Sequence, residues 1–195
     1  MSVAKVLKMI KDKEVKFVDL RFTDTKGKWQ HTAQTASTIN ENTFKEGIMF
    51  DGSSIAGWKN INESDMILMP DPNTAVMDPF TAQPQMILFC DVIEPSDGKP
   101  YELDPRSTGK KAEDYLKSSG IGEKCFFGPE AEFFVFDDVK WATNQEYTFF
   151  SIDSEEGAYN TGAEMEGGNM GHRPKDKGGY FPVPPVDSAL SLIHI

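Results

Sequence analysis

The chain has 195 residues, enough for one large domain or two modest ones, and its 38% hydrophobic and 11% aromatic content can build a core. With 31 acidic against 20 basic residues the formal charge is −11, which argues against nucleic acid or an anionic membrane as partner. The sequence shows no signal-peptide core and no apolar run of membrane-span length, so it reads as a soluble, cytoplasmic protein. Cys90 and Cys125 lie in apolar strand-like runs without CxxC spacing and read as reduced core residues.

In chain order, residues 2–13 place Val3, Val6, Leu7 and Ile10 at helical spacing with lysines opposite, which predicts a short amphipathic helix. Residues 15–24 predict a strand with Val18, Leu20 and Phe22 on one face. A turn centred on Gly27 returns the chain over residues 28–35 as a hairpin partner. A short helix over 41–46 should stop at Gly47, and residues 66–69 and 85–92 have strand length. One helix among several short strands predicts a small α+β unit over about the first hundred residues.

Residues 94–105 turn rich in Pro, Ser, Asp and Gly and read as a linker. Asp104-Pro105 then has the form of an N-cap followed by a proline at the first helical position, with the helix closing at Gly120. In residues 125–136 Pro129 opens a strand, and from there the side chains alternate with large apolar groups on both faces, predicting burial on both sides. Glu130 and Glu132 share one face about 6.5–7 Å apart. They are either solvated at a wet strand end or presented as oxygen ligands for hard divalent cations. In Met49-Phe-Asp-Gly-Ser-Ser-Ile-Ala-Gly-Trp58, Asp51 either caps its own turn or presents a carboxylate. Tyr180, in a Gly- and Pro-rich loop, reads locally as packing, and His31 and His172 as surface or hydrogen-bonding residues. The glycines of residues 167–174 follow no clear strand and make a weak phosphate loop.

Five motifs together resemble the N-terminal part of bacterial type I glutamine synthetases, in that family's order. They are Lys16-Phe-Val-Asp-Leu-Arg-Phe-Thr-Asp-Thr-Lys-Gly-Lys28, Phe50-Asp-Gly-Ser-Ser-Ile-Ala-Gly-Trp58, Asn62-Glu-Ser-Asp-Met66, Gly128-Pro-Glu-Ala-Glu-Phe-Phe134 and Gly178-Gly-Tyr-Phe-Pro-Val-Pro-Pro-Val-Asp187. The resemblance implies an α+β architecture: a β-grasp domain over 14–98, then the start of a catalytic domain over 105–189, built on a curved antiparallel sheet with helices. It implies ATP-dependent ligation of ammonia to glutamate through γ-glutamyl phosphate. Glu130 and Glu132 match metal ligands of two Mg²⁺ or Mn²⁺ sites, while Asp51, Ser54 and Tyr180 match the ammonium pocket. The family is a cytoplasmic homo-oligomer, a dodecamer, whose active site is shared between subunits.

The resemblance ends at Ala189. Residues 190–195 match nothing expected there and read as a non-native tail. The family's remaining metal ligands and phosphate-clamping arginines are missing from the sequence. By itself the 195-residue product is therefore expected to fold poorly and to be inactive, or at most an interaction module. A γ-glutamyl ligase for another amine is a further alternative.

Overall fold

The computed structural model describes residues 1–131, 133–164 and 168–169. Contacts divide the chain into two compact units, Met1–Phe126 and Phe127–Ile195.

The first unit opens with α1 (Val3–Asp12), whose N-cap Ser2 accepts a hydrogen bond from the Lys5 amide. Its apolar stripe buries Val6 completely. The strands are β1 (Phe17–Thr23), β2 (Trp29–Thr35), β3 (Ile48–Asp51), β4 (Asp65–Pro70), β5 (Val76–Met77) and β6 (Gln85–Ile93). They form one sheet in the order β2-β1-β6-β4-β3, with β5 also paired to β6. All neighbours run antiparallel except β1 and β6, which pair in parallel with Leu20 opposite Leu88.

Alternation decides which side of the sheet is core. Val18, Leu20 and Phe22 of β1, Met66 and Leu68 of β4, and Met86, Leu88, Cys90 and Val92 of β6 are buried on one face with Val6 of α1. Each fully buried Leu among them contributes about 2 kcal/mol of apolar transfer free energy. On the opposite face Asp19 is also buried. It accepts from Arg21 Nε at 2.7 Å and lies 2.5 Å from His31 Nδ1, while Arg21 also reaches Asp78. A buried carboxylate is tolerated there because a guanidinium and a ring nitrogen both face it.

The turns follow the sequence. Gly27 at φ +83° closes the β1–β2 hairpin, the 3-10 turn Glu41–Phe44 is capped at Lys45, and Gly47 at φ +74° leads the chain into β3. Residues 94–104 differ from the expected linker. Pro100 bridges to Ile93, Tyr101 is buried in the core cluster, and Asp104 is fully buried as the N-cap of α2 (Pro105–Ser118). Polar composition marked the segment as loose, but one aromatic ring and one capping carboxylate are enough to dock it.

The second unit holds a hairpin, β7 (Asp138–Thr143) with β8 (Thr148–Asp153). The Asp153 carboxylate accepts from the amides of Ser154 and Thr161 and from the Thr161 hydroxyl, which ties the following turn to the hairpin. The doubly buried strand expected over residues 129–136 is not formed. Its described residues have no regular secondary structure, and Phe134, like Phe126 and Phe127 just ahead of the strand's expected start, is more than four-fifths exposed. A strand exists only where a neighbour takes up its backbone groups, and among the described residues none lies alongside. Cys125 is consequently exposed, against expectation, whereas Cys90 is buried as expected.

Candidate functional site

The candidate polar element is the turn that follows β3. Asp51 ends the strand in extended conformation and caps the 3-10 turn Gly52–Ser54. Its Oδ1 accepts from the Ser53 amide at 2.8 Å and the Ser53 hydroxyl at 2.6 Å, and its Oδ2 accepts from the Ser54 hydroxyl at 3.4 Å. The Ser53 hydroxyl bond, with the amide and Ser54 bonds adding to it, holds the Asp51 carboxyl below the usual aspartate range. Asp51 therefore does cap its own backbone, and the capped carboxylate remains exposed and charged.

The turn sits on a firm base. Gly52 donates to the Ser64 carbonyl at 2.7 Å, and a Cβ at position 52 would come 2.6 Å from Met66 Cγ, so only glycine lets the backbones approach this closely. Phe50, Trp58, Phe22 and Tyr101 pack ring against ring, with Phe22–Phe50 centroids 5.0 Å apart and Trp58–Tyr101 centroids 5.1 Å apart. The Trp58 indole N–H is buried with no acceptor among the described residues. Beside the turn, a cleft of about 510 Å³ is lined by Lys59, Glu63, Ser64, Asp65 and Glu94, among others.

Asp51 and Ser54 are thus brought together on one turn, as the sequence predicted. Glu130 lies in the second unit, exposed and without a partner among the described residues. Glu132, Tyr180 and His172 fall outside the described residues. Among the described residues no group of three or more His, Cys, Asp or Glu could hold a metal ion. Sequence reasoning missed Asp65, Lys59, Glu94 and Tyr101. For Asp65 a signal existed: pairing the alternations of residues 48–51 and 65–68 antiparallel sets it opposite Asp51.

Comparison with known proteins follows the same division. The family described as glutamine synthetase, beta-Grasp domain, matches residues 14–95, and that described as glutamine synthetase, catalytic domain, matches residues 102–194. A glutamine synthetase of Methylococcus capsulatus is 61% identical over 192 residues, covering 98% of this chain and 41% of the relative. A 3-hydroxylaminophenol mutase of Cupriavidus pinatubonensis is 57% identical over 187 residues, covering 96% of this chain and 40% of the relative. A Plasmodium falciparum glutamine synthetase structure superimposes with a TM-score of 0.71 at 22% identity, covering all of this chain and 38% of that one, which supports the fold. The chain spans about two-fifths of the length of the curated relatives it matches. It belongs to the glutamine synthetase family, with that family's β-grasp domain followed by the start of its catalytic domain.

Proposed function

We propose that this chain supplies the ammonium-binding turn of a ligase that joins ammonia to glutamate with ATP. The observation that supports this most directly is the Asp51 carboxylate, exposed and kept ionised by Ser53 and Ser54 on a turn fixed by Gly52. In the reaction, the γ-phosphoryl group of ATP passes to the side-chain carboxylate of glutamate and ADP leaves. Ammonia then attacks the acyl carbon of γ-glutamyl phosphate, and phosphate departs as glutamine forms. An ionised carboxylate attracts the ammonium cation to the acyl centre. The bound ammonium passes one proton to the Asp51 carboxylate, the ammonia released attacks the acyl carbon, and the exposed carboxyl, held below the usual aspartate range, gives that proton on to solvent.

Ser54, and Tyr180 beyond the described residues, complete the pocket in this reading. Glu130 and Glu132 are each a hard oxygen donor that suits Mg²⁺ or Mn²⁺, and among the described residues no further His, Cys, Asp or Glu gathers with Glu130 into a group that could hold one. When bound, such metals neutralise phosphate charge. The reading divides the chain into a β-grasp domain over 14–98 and a catalytic start over 105–189; the expected non-native tail over 190–195 is not kept, because the catalytic-domain match runs to residue 194. It places the enzyme in the cytoplasm as a homo-oligomer with the site shared between subunits. Exposed Phe80, Phe126 and Phe127 are the kind of apolar surface that assembly covers.

The test is a chimera in which residues 1–189 replace the matching stretch of the Methylococcus capsulatus relative. Glutamine formed from glutamate, ammonium and ATP supports the reading. A folded chimera that makes none overturns it and leaves the second reading, an interaction module, which the exposed aromatic run 126–136 favours.

A further inference from the structure

The stretch 94–101, where the first family match ends and just before the second begins, does more than connect the two. Tyr101 Oη donates to the Trp58 carbonyl at 3.0 Å, across 43 residues of sequence, and its ring packs edge-on against the Trp58 indole. Glu94 Oε1 lies 2.5 Å from Lys59 Nζ, and both side chains are less than a quarter exposed. The Lys59 ammonium also sits 5.3 Å from the Tyr101 ring centroid. The Lys59 stem runs past Gly52: its Cγ is 3.3 Å from the position a Cβ there would take. Gly52 is the residue next to Asp51. Two chains of contact therefore run from residues 94–101 to the turn, one from Tyr101 through Trp58 and one from Glu94 through Lys59.

We infer that Tyr101 and Glu94 are positioning residues that latch the Asp51–Ser54 turn in place through Trp58 and Lys59. Neither touches the carboxylate. A turn of eight residues between Asp51 and Asn60 has enough freedom to carry Asp51 out of line, and a hydrogen bond to a buried carbonyl plus a half-buried ion pair removes it. The buried Trp58 carbonyl has its acceptor need met by Tyr101. Lys59 is held charged by Glu94, whose hydrogen bond raises its pKa against the effect of burial. The consequence for turnover rests on the ammonium reading of Asp51; the latch itself does not.

The first experiment is amide hydrogen exchange in the 195-residue chain and in the chimera. The reporters are the amides of Gly52, Ile55 and Trp58, which donate within the turn or to Ser64. Tyr101→Phe keeps the ring and removes only the donor, and Glu94→Gln keeps the shape and removes the charge. Each is expected to speed exchange at these amides roughly tenfold while the β1–β2 amides stay unchanged. Unchanged reporters in both variants, or a rise shared with β1–β2, overturns the latch. The second readout is kinetic. In the chimera Tyr101→Phe should raise the ammonium KM roughly tenfold and leave the ATP KM alone, since the bond lost to the Trp58 carbonyl holds only the turn that carries Asp51. An equal rise in both overturns the positioning role. A wild-type chimera that forms no glutamine defeats the proposed activity, and the exchange result then decides the latch alone.

Discussion

Asp51 and Asp65 are register partners at the end of the β3–β4 ladder, so two acidic residues stand opposite each other on one face of an antiparallel pair. Like charges in that relation destabilise a sheet. Asp65→Asn should therefore raise the thermal midpoint of the chain slightly. In the active chimera the same change should raise the ammonium KM, because the turn becomes less attractive to a cation. A lower midpoint would show that Asp65 makes a stabilising contact instead.

The Asp51 turn also makes a pH prediction. Its carboxyl is held below the ordinary value, so the stability it contributes is complete above the ordinary aspartate range and is lost as pH falls through the lowered value. Ser53→Ala removes the largest cause and should move Asp51 upward in a carboxylate NMR titration, bringing that loss to higher pH. Asp51→Ala in the chimera should depress ammonium-dependent turnover and leave ATP binding nearly unchanged. Equal damage to both would mark Asp51 as structural.

Asp104 caps α2 from a fully buried position. It accepts from the amides of Arg106 and Ser107 at 3.1 Å each and from the Ser107 hydroxyl at 2.7 Å, and reaches the Val92 amide at 3.4 Å. Asp104→Ala leaves these donors without an acceptor and should cost about 2–3 kcal/mol in urea denaturation. A loss below about 0.5 kcal/mol would mean that water replaces the cap at no cost.

Two glycines with similar backbone angles should respond differently to alanine. At Gly47 a Cβ would fall 2.3 Å from Ile67 Cγ2 and 2.7 Å from the Leu68 carbonyl oxygen, whereas at Gly27 nothing lies within 4 Å. Both have positive φ, so both substitutions incur about 1 kcal/mol of backbone strain. Gly47→Ala adds a steric clash and should destabilise by a further 1–3 kcal/mol or so. Equal midpoints for the two variants would contradict the packing seen at β4.

The two thiols should separate by reactivity. Burial pushes the Cys90 thiol far above its ordinary range, while Cys125 is exposed. A thiol reagent in native buffer should label Cys125 rapidly and Cys90 only after denaturant is added. Rapid labelling of both would place Cys90 outside the core.

Local signals were legible wherever the physics is local. The alternation of Val18, Leu20 and Phe22, the Gly27 turn and the Asp104-Pro105 helix start all stand where the sequence put them. The Asp51 turn was legible as a turn, and Ser53 as its main donor only from coordinates. Features that depend on distant partners were not legible. Tyr101 sits among Pro, Ser, Asp and Gly, and nothing nearby in sequence announces that Trp58 awaits its hydroxyl. The alternation at 129–136 has the pattern of a strand, but a pattern supplies side chains and not the neighbour that a ladder needs. Asp19 falls between Val18 and Leu20 and has the look of an outward residue. Its burial is created by Arg21 and His31 folding over it.

The parallel pairing of β1 with β6 has a consequence for how the first unit is assembled. β1 can zip to β2 at once, through a turn of a few residues, but its other flank waits for Gln85–Ile93. β1 therefore spends the synthesis of some fifty intervening residues with one edge open. Closure of so long a loop must precede any return from the contacts it permits, so folding of this unit should be governed by the arrival of β6 and be slow for its size. A nascent chain stalled before residue 85 would present that unpaired edge to whatever else is nearby.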